Sequence, residues 1–372
     1  LNTPQTVPFI DLERAWSDVR EDALATAARV LDSQRYVGGD EVAGFERELA
    51  EWSGVRHAIG SSSGTDAQLA MMMALGLREG DEVITSPFTF FATAGGIARK
   101  GARPVFVDIH PRTFNLDPDA AAAAVGPNTI GVVPVHLFGQ MANMRALSGL
   151  ADRHGLWVVE DAAQAVGATF AGRPAGAWGV GASLSFFPTK NLGAAGDGGA
   201  VLTDDDALAD RVRLLSAHGA RPKYHHVRVG ANFRLDALQA AILRVKLARL
   251  SYWHAQRAES AAHYDALLAD VEGVTTPYTH PDAAHVWHQY TVRVERRDEV
   301  QAKLKEAGVG SMVYYPEPLH LQPCFAHLGY REGSLPHAER AAREVLSLPI
   351  FPGITPAERE RVAGVLAEAV AR

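Results

Sequence analysis

Between residues 57 and 205, seven short apolar runs (HAIGS, DEVITS, RPVFVDI, TIGVVPVHLF, LWVVEDAA, ASLSFFP and GGAVLTD) alternate with segments of helical spacing such as GTDAQLAMMMALGL and NMRALSGLADRHG. This alternation restricts the fold more tightly than any other feature of the chain. The runs are apolar at nearly every position rather than at every second one, so each strand buries both of its faces. Strands of that kind, separated by helices, pair in parallel, and the helices cover the sheet. The sequence therefore predicts an α/β fold with a mostly parallel central sheet, whose ligands lie at the carboxyl ends of the strands.

The pattern changes further on. Residues 206–270 read as helical, with RLDALQAAILRVKLARL the clearest amphipathic stretch, and the turn-rich DVEGVTTPYTHPDAAH follows. Then come a strand-like VWHQYTVRV, a helix through DEVQAKLKEAG, and helices near 336–347 and 356–371. This shift divides the chain into a large α/β domain with an N-terminal arm, 1–249, and a smaller α+β C-terminal domain, 250–372. With 372 residues, 47% of them hydrophobic, the chain has enough apolar surface for both.

Net charge of −7 argues against nucleic acid or an anionic membrane as partner, while leaving room for a local basic patch. The single cysteine, Cys324, leaves no intrachain disulfide and no multi-cysteine zinc site, and no metal is expected. The stretch LNTPQTVPFIDLERAW lacks a basic segment followed by an apolar one, and no apolar run reaches the ~18 residues of a membrane span. A cytoplasmic setting is the expectation.

Three places along the sheet carry chemistry. In SSSGTDAQ, small residues and Gly64-Thr65 lie between a strand and a helix, where free N–H groups at the positive helix end can hold a phosphate. An ordinary helix N-cap reads the same way. In LWVVEDAAQAVGA, Glu160 and Asp161 close an apolar strand, and a carboxylate there can pair with a protonated ring nitrogen, or cap a helix. Gln164 could reach the same edge from a first helical turn, or complete a capping box. In SFFPTKNLGAAGDGGAV, Lys190 stands between a proline turn and a glycine run. A sheltered amine there has its pKa lowered by desolvation and becomes nucleophilic, whereas a loop lysine in water does not. Phosphate cradle, strand-end carboxylate and lysine, in that order on a parallel sheet, are the parts needed to hold pyridoxal 5'-phosphate. SPFTFFATA adds aromatic side chains at a strand end, for ring stacking or for the core.

With these residues in place, the chain resembles the fold-type I pyridoxal phosphate enzymes, and more narrowly the DegT/StrS family of sugar aminotransferases. The resemblance runs through VPFIDL, YVGGDEVAGFERELAEW, SSGTDA, GDEVITSPFTFFATA, PVFVDI, TFNLDP, PVHLFGQ, VVEDAAQAVGA, SFFPTKNLGAAGDGGAV, YHHVRVGANFRLDALQAAIL and YYPEPLHLQP, nearly the whole chain. It implies that Lys190 forms the internal aldimine, that Asp161 pairs with the pyridine nitrogen, that Gln164 lies beside the ring hydroxyl and that Phe90 stacks on the ring. Gly64, Thr65, Asp66 and Ser185 would donate to the phosphate. Asn232 would reach the phosphate of the neighbouring subunit, which implies a homodimer with shared active sites.

The implied reaction carries an amino group from L-glutamate to a keto group, at C3, of a nucleotide-diphosphate-linked sugar, with ping-pong kinetics. HGARPKYHHVRVGANFR supplies cations for the substrate's pyrophosphate: Arg221, Lys223, Arg228 and above all Arg234, unless the loop is merely solvated. Tyr314 and Tyr315 would line the sugar pocket. Relatives acting on 3-keto uronic acid sugars often carry His-Tyr there, so Tyr314 is a departure that weighs against a uronic acid substrate. Lys190 weighs against the family's dehydratases, in which histidine replaces the lysine. An aminotransferase for a cyclitol or other keto-ring acceptor, and a non-catalytic pyridoxal phosphate-binding regulatory protein, are the competing readings.

Overall fold

The computed structural model describes residues 6–371; residues 1–5 and 372, at the outer ends of the two expected domains, lie outside the described residues. Seven strands build the main sheet: β1 (His57–Ser61), β2 (Glu82–Thr85), β3 (Arg103–Phe106), β4 (Thr129–Val133), β5 (Trp157–Asp161), β6 (Gly181–Ser185) and β7 (Gly199–Thr203). Across the sheet they run in the order β1-β7-β6-β5-β4-β2-β3. Only β7 runs antiparallel to its neighbours, so β1 to β6 all end at one edge. The link from β6 to β7 contains no helix, and a helix-free return is compatible with antiparallel pairing.

Both faces of the sheet are buried, as the unbroken apolar runs require. Along β5, Val158 packs into one core and Val159 into the other; along β7, Ala200 and Leu202 face the first and Val201 the second. The first core is closed by α1 (Gly39–Ser53), through Phe45 and Leu49, and the second by α2 (Gly64–Ala74), through Met71 and Met72. Helices α3 (Asp206–Ser216) and α4 (Ala237–Leu247) add Leu208 and Val212 to the second core and Leu243 to the first. Each such side chain contributes about 1.5–3 kcal/mol on full burial.

A separate core gathers Tyr264 and Leu268 of α5 (Leu250–Leu268) and Val362 and Leu366 of α6 (Pro356–Val370). They pack on a three-stranded antiparallel sheet, β8 (Val274–Thr275), β9 (Tyr290–Val294) and β10 (Val345–Leu348), with β9 in the middle. Val7 belongs to this core and bridges to Val309, so the start of the described chain packs with its C-terminal part.

Four local readings of the sequence differ from the structure, the first being that within 206–270, read as helical, residues 217–236 form turns and bridges and no helix. The stretch through RVKLARL is two helices, broken at Ala248-Arg249 between α4 and α5. The helix beginning at Pro336 stops at Glu344, because Val345–Leu348 pairs with β9. No helix follows β5. Residues 162–168 form successive turns closed by Ala165 N–H to Ala162 O and Ala168 N–H to Ala165 O, so Asp161 caps no helix and Gln164 completes no capping box.

Candidate active site

The carboxyl ends of β1, β5 and β6 converge because β7 alone separates β1 from β6 and β5 lies next to β6. At the end of β1, Ser63 caps α2 by accepting from the Asp66 N–H, and Ser62 Oγ donates to the Asp66 carboxylate at 2.6 Å. Asp66 is thereby committed to the cap, its amide included. The N–H groups of Gly64 and Thr65 have no partner among the described residues and point along the positive end of the helix. Gly64 lies against Ser185, the last residue of β6; a Cβ added to Gly64 would stand 2.7 Å from the Ser185 Cβ. Gly199 is required for the same approach, since a Cβ there would lie 2.4 Å from the Ser63 carbonyl.

Asp161 ends β5 and is buried. Its Oδ2 accepts from Thr93 Oγ1 at 2.7 Å, and its Oδ1 from the Ala163 N–H at 3.2 Å. Glu160, one residue earlier, faces the other side of the sheet by strand alternation. It is fully buried, accepting from His136 Nε2 at 2.8 Å and from the N–H groups of Gly176, Trp178 and Gly179. His136 Nδ1 accepts from the Ala142 N–H, which places the ring proton on Nε2. Of the two strand-end carboxylates only Asp161 serves the open edge.

Lys190 closes the Phe187–Lys190 turn, its N–H donating to the Phe187 carbonyl at 2.8 Å. The side chain is half-buried, and desolvation lowers its pKa from 10.5 to about 8 against the opposing pull of the Asp161 carboxylate. Gln164 uses both ends of its amide: Oε1 accepts from the Phe138 N–H at 2.7 Å and Nε2 donates to Tyr315 Oη at 3.1 Å. Burial first, and Asp161 second, raise the pKa of the Tyr315 hydroxyl. Tyr315 packs edge-on to Phe88, and Tyr314 sits between Tyr315 and Phe9. The structure thus brings Lys190, Asp161, Gln164 and Tyr315 together.

Phe88 is buried in the loop after β2, whereas Phe90 is 61% exposed and available as a stacking face. Asn232 is exposed and Arg234 half-buried, on either side of Phe233, whose carbonyl accepts from the Ser62 N–H beside the phosphate cradle. Within one chain no contact joins either side chain to Lys190 or Asp161 among the described residues. In the basic loop, Arg221 is tied to Asp210 by two bonds of 2.9 and 2.7 Å, and Lys223 lies over the Tyr224 ring. Arg228 and Arg234 form no ion pair among the described residues. Thr93 was not singled out by the sequence. Thr93 lies in the aromatic block, four residues after Thr89, a spacing that a reading focused on its rings passes over.

A lysine and an aspartate thus lie near neighbouring strand ends of a seven-stranded, mostly parallel sheet of fold-type I architecture, with the free helix N–H groups at the same edge. The chain belongs to the DegT/DnrJ/EryC1/StrS aminotransferase family, whose model matches residues 17–367. It is 47% identical over 366 residues to a dTDP-3-amino-3,4,6-trideoxy-alpha-D-glucose transaminase of Streptomyces venezuelae, covering 98% of this chain and 96% of that one. It is also 51% identical over 364 residues to a pleiotropic regulatory protein of Geobacillus stearothermophilus, covering 97% and 98% of the two chains. Among solved structures, S. venezuelae DesV in complex with a ketimine intermediate superposes with a TM-score of 0.97 at 47% identity, over the full length of both chains. Among the described residues there is no group of three metal-ligating side chains, and no helix is long and apolar enough to cross a membrane.

Proposed function

We propose that this enzyme moves an amino group from L-glutamate to a keto group, at C3, of a nucleotide-diphosphate-linked sugar, using pyridoxal 5'-phosphate. The observation that carries the reading is the half-buried Lys190, its pKa near 8 and within electrostatic reach of Asp161, at the sheet edge that also bears the free N–H groups of Gly64 and Thr65. The residues fit the cofactor. Gly64, Thr65 and the Ser185 hydroxyl would hold its phosphate, Asp161 its protonated ring nitrogen, and Phe90 one face of the ring. Gln164, fixed by Phe138 and Tyr315, would stand beside its ring hydroxyl.

When bound, pyridoxal phosphate supplies an aldehyde for amines and a pyridinium ring that withdraws electrons. Lys190 supplies the base. With a pKa of about 8, roughly a tenth of it is neutral at pH 7 and half at pH 8. The neutral amine would take the proton from the donor's α-carbon and deliver it to the C4' carbon of the cofactor within the same half-reaction, and would carry a proton the other way, from C4' to the sugar's keto carbon, in the second. Thr93 and the Ala163 N–H fix the Asp161 carboxylate, which would hold the ring N–H. Arg228 and Arg234, free of ion pairs among the described residues, are the cations for the substrate's pyrophosphate. The 3-amino sugar and the nucleotide in the name of the S. venezuelae relative support this choice of acceptor.

The reading extends to a homodimer with shared sites, in which Asn232 reaches the partner's cofactor phosphate. One experiment tests both parts. Enzyme supplied with pyridoxal phosphate, ¹⁵N-labelled L-glutamate and a panel of nucleotide-linked keto sugars should yield a ¹⁵N-amino sugar by mass spectrometry. Lys190→Ala should abolish the product and Asn232→Ala should reduce it. Co-producing the two variants should restore about a quarter of the intact sites, because half the dimers are mixed and each mixed dimer regains one site. No labelled product from any sugar sinks the acceptor assignment, and no restoration in the mixture sinks the shared site.

A further inference from the structure

Arg112, in the loop after β3, is exposed, and its guanidinium lies over the Tyr278 ring, 3.6 Å from the centroid. Its side chain forms no hydrogen bond or ion pair among the described residues. Stacking uses the face of the guanidinium and leaves its N–H edge unspent, while the ring holds in one place a side chain that would otherwise sample many rotamers. Two imidazoles accompany it. His110 Nδ1 accepts from the N–H groups of Arg112 and Thr113, each at 3.3 Å, and His280 Nδ1 accepts from the Asp282 N–H at 3.1 Å. Each ring therefore carries its proton on Nε2, and neither Nε2–H has a partner among the described residues. Burial holds His110 below the ordinary histidine range, and it lies within electrostatic reach of both Arg112 and His280.

These three side chains line one cavity of about 220 Å³, whose wall continues with Leu116, Met141 and Phe170. Phe170 packs on the His280 ring, with centroids 5.1 Å apart. Buried Gln140 fixes the rim: its Oε1 accepts from the His280 N–H at 2.6 Å and its Nε2 donates to the Tyr278 carbonyl at 2.9 Å, which ties the linker ahead of β9 to the loop after β4. No acid belongs to the wall. The carboxylates beside it in the chain are committed elsewhere, Asp117 to the N–H groups of Asp119 and Ala120, and Asp282 to Arg145 at 3.1 Å. The cavity thus offers unspent donors on one side and an apolar wall on the other. None of its lining side chains belongs to the edge around Lys190, Asp161 and Tyr315.

We propose that this cavity binds an organic phosphate monoester, with its phosphate on the Arg112 guanidinium and the N–H donors of His110 and His280, and its apolar body against Leu116, Met141 and Phe170. A guanidinium edge with two further N–H donors asks for more acceptor oxygens than the two of a carboxylate, and a phosphate monoester presents three. The volume lies below the ~300 Å³ at which pockets for drug-sized ligands begin, which limits the body to roughly one ring. The site is independent of the transaminase reading, since it shares no residue with it.

Phenyl phosphate is the probe, titrated calorimetrically into the cofactor-loaded enzyme. Wild type should bind it, inorganic phosphate should bind roughly tenfold more weakly for want of an apolar body, and phenylacetate should bind several-fold more weakly for want of a third oxygen. Arg112→Gln should weaken phenyl phosphate roughly tenfold and His280→Ala several-fold, while Arg228→Gln combined with Arg234→Gln leaves it within about twofold. Because Arg112 is exposed, its variant should fold, and its lysine-bound absorbance and L-glutamate half-reaction should match wild type. Unchanged affinity in Arg112→Gln overturns the proposal, as does a loss confined to the Arg228→Gln, Arg234→Gln variant, which would place the phosphate among the cations proposed for the sugar nucleotide. Inorganic phosphate binding as tightly as phenyl phosphate overturns the role of the apolar wall, and phenylacetate binding as tightly overturns the choice of phosphate. A wild type that binds none of the three overturns the site itself.

Discussion

Six lysines serve this chain, and Lys190 is the one whose surroundings strip water from its ammonium while a carboxylate at the next strand end pulls the other way. Desolvation wins, so the neutral amine is populated from pH 8 upward rather than from 10.5. The unfolded chain then holds one more proton than the folded one between those limits, and the stability of the cofactor-free protein rises with pH across that window. Competitive acetylation of the cofactor-free protein, read by mass on the peptide carrying Lys190, should show a midpoint near pH 8; a midpoint near 10.5 would mean that the side chain is solvated. Lys190 and Asp161 were legible in the sequence because each follows an apolar run with its own punctuation: a proline and glycines for one, the end of an unbroken strand for the other. The Arg112 cavity was not. A loop sequence can set an arginine near a histidine, but not show that no acid meets them there, because the absence of a partner is a property of the packed chain.

At the scale of elements, the phosphate cradle depends on how closely the first turn of α2 approaches the end of β6. Gly64 permits the contact with Ser185, and Gly64→Ala would set its methyl carbon 2.7 Å from the Ser185 Cβ. The turn must then shift, at about 1–3 kcal/mol for overpacking, and the two free N–H groups shift with it. Pyridoxal phosphate affinity, followed by fluorescence titration, should fall roughly tenfold. An unchanged affinity would show that the helix end is not the phosphate site. The strands themselves were readable, since a run apolar at every position has few options beyond a doubly covered sheet. The misreadings fell where tertiary contact overrides local preference. VLSL at 345–348 continues a helical pattern yet pairs with β9, and the stretch after Asp161 turns instead of coiling.

Over the whole molecule, an acidic chain sets the free N–H groups of Gly64 and Thr65 at the sheet edge, and Arg228 and Arg234, without an ion pair among the described residues, on one segment. The division at 249/250 is our proposal for the order of the chain, while packing ties Val7 and Ile10 to the C-terminal core, so the two units share their surface. Net charge and the buried apolar runs were legible in composition; that sharing was not, because no local pattern tells a terminal strand where to dock. The most direct measurement of the central claim, that Lys190 and Asp161 frame a working transaminase site, is the absorbance spectrum of the enzyme with pyridoxal phosphate, before and after L-glutamate, beside Lys190→Ala. The expected result is a lysine-bound aldehyde band that gives way to the band of the aminated cofactor in wild type, with no lysine-bound band in the variant. A wild-type band unmoved by L-glutamate and by every other amino acid tried, or a variant spectrum identical to wild type, would contradict it.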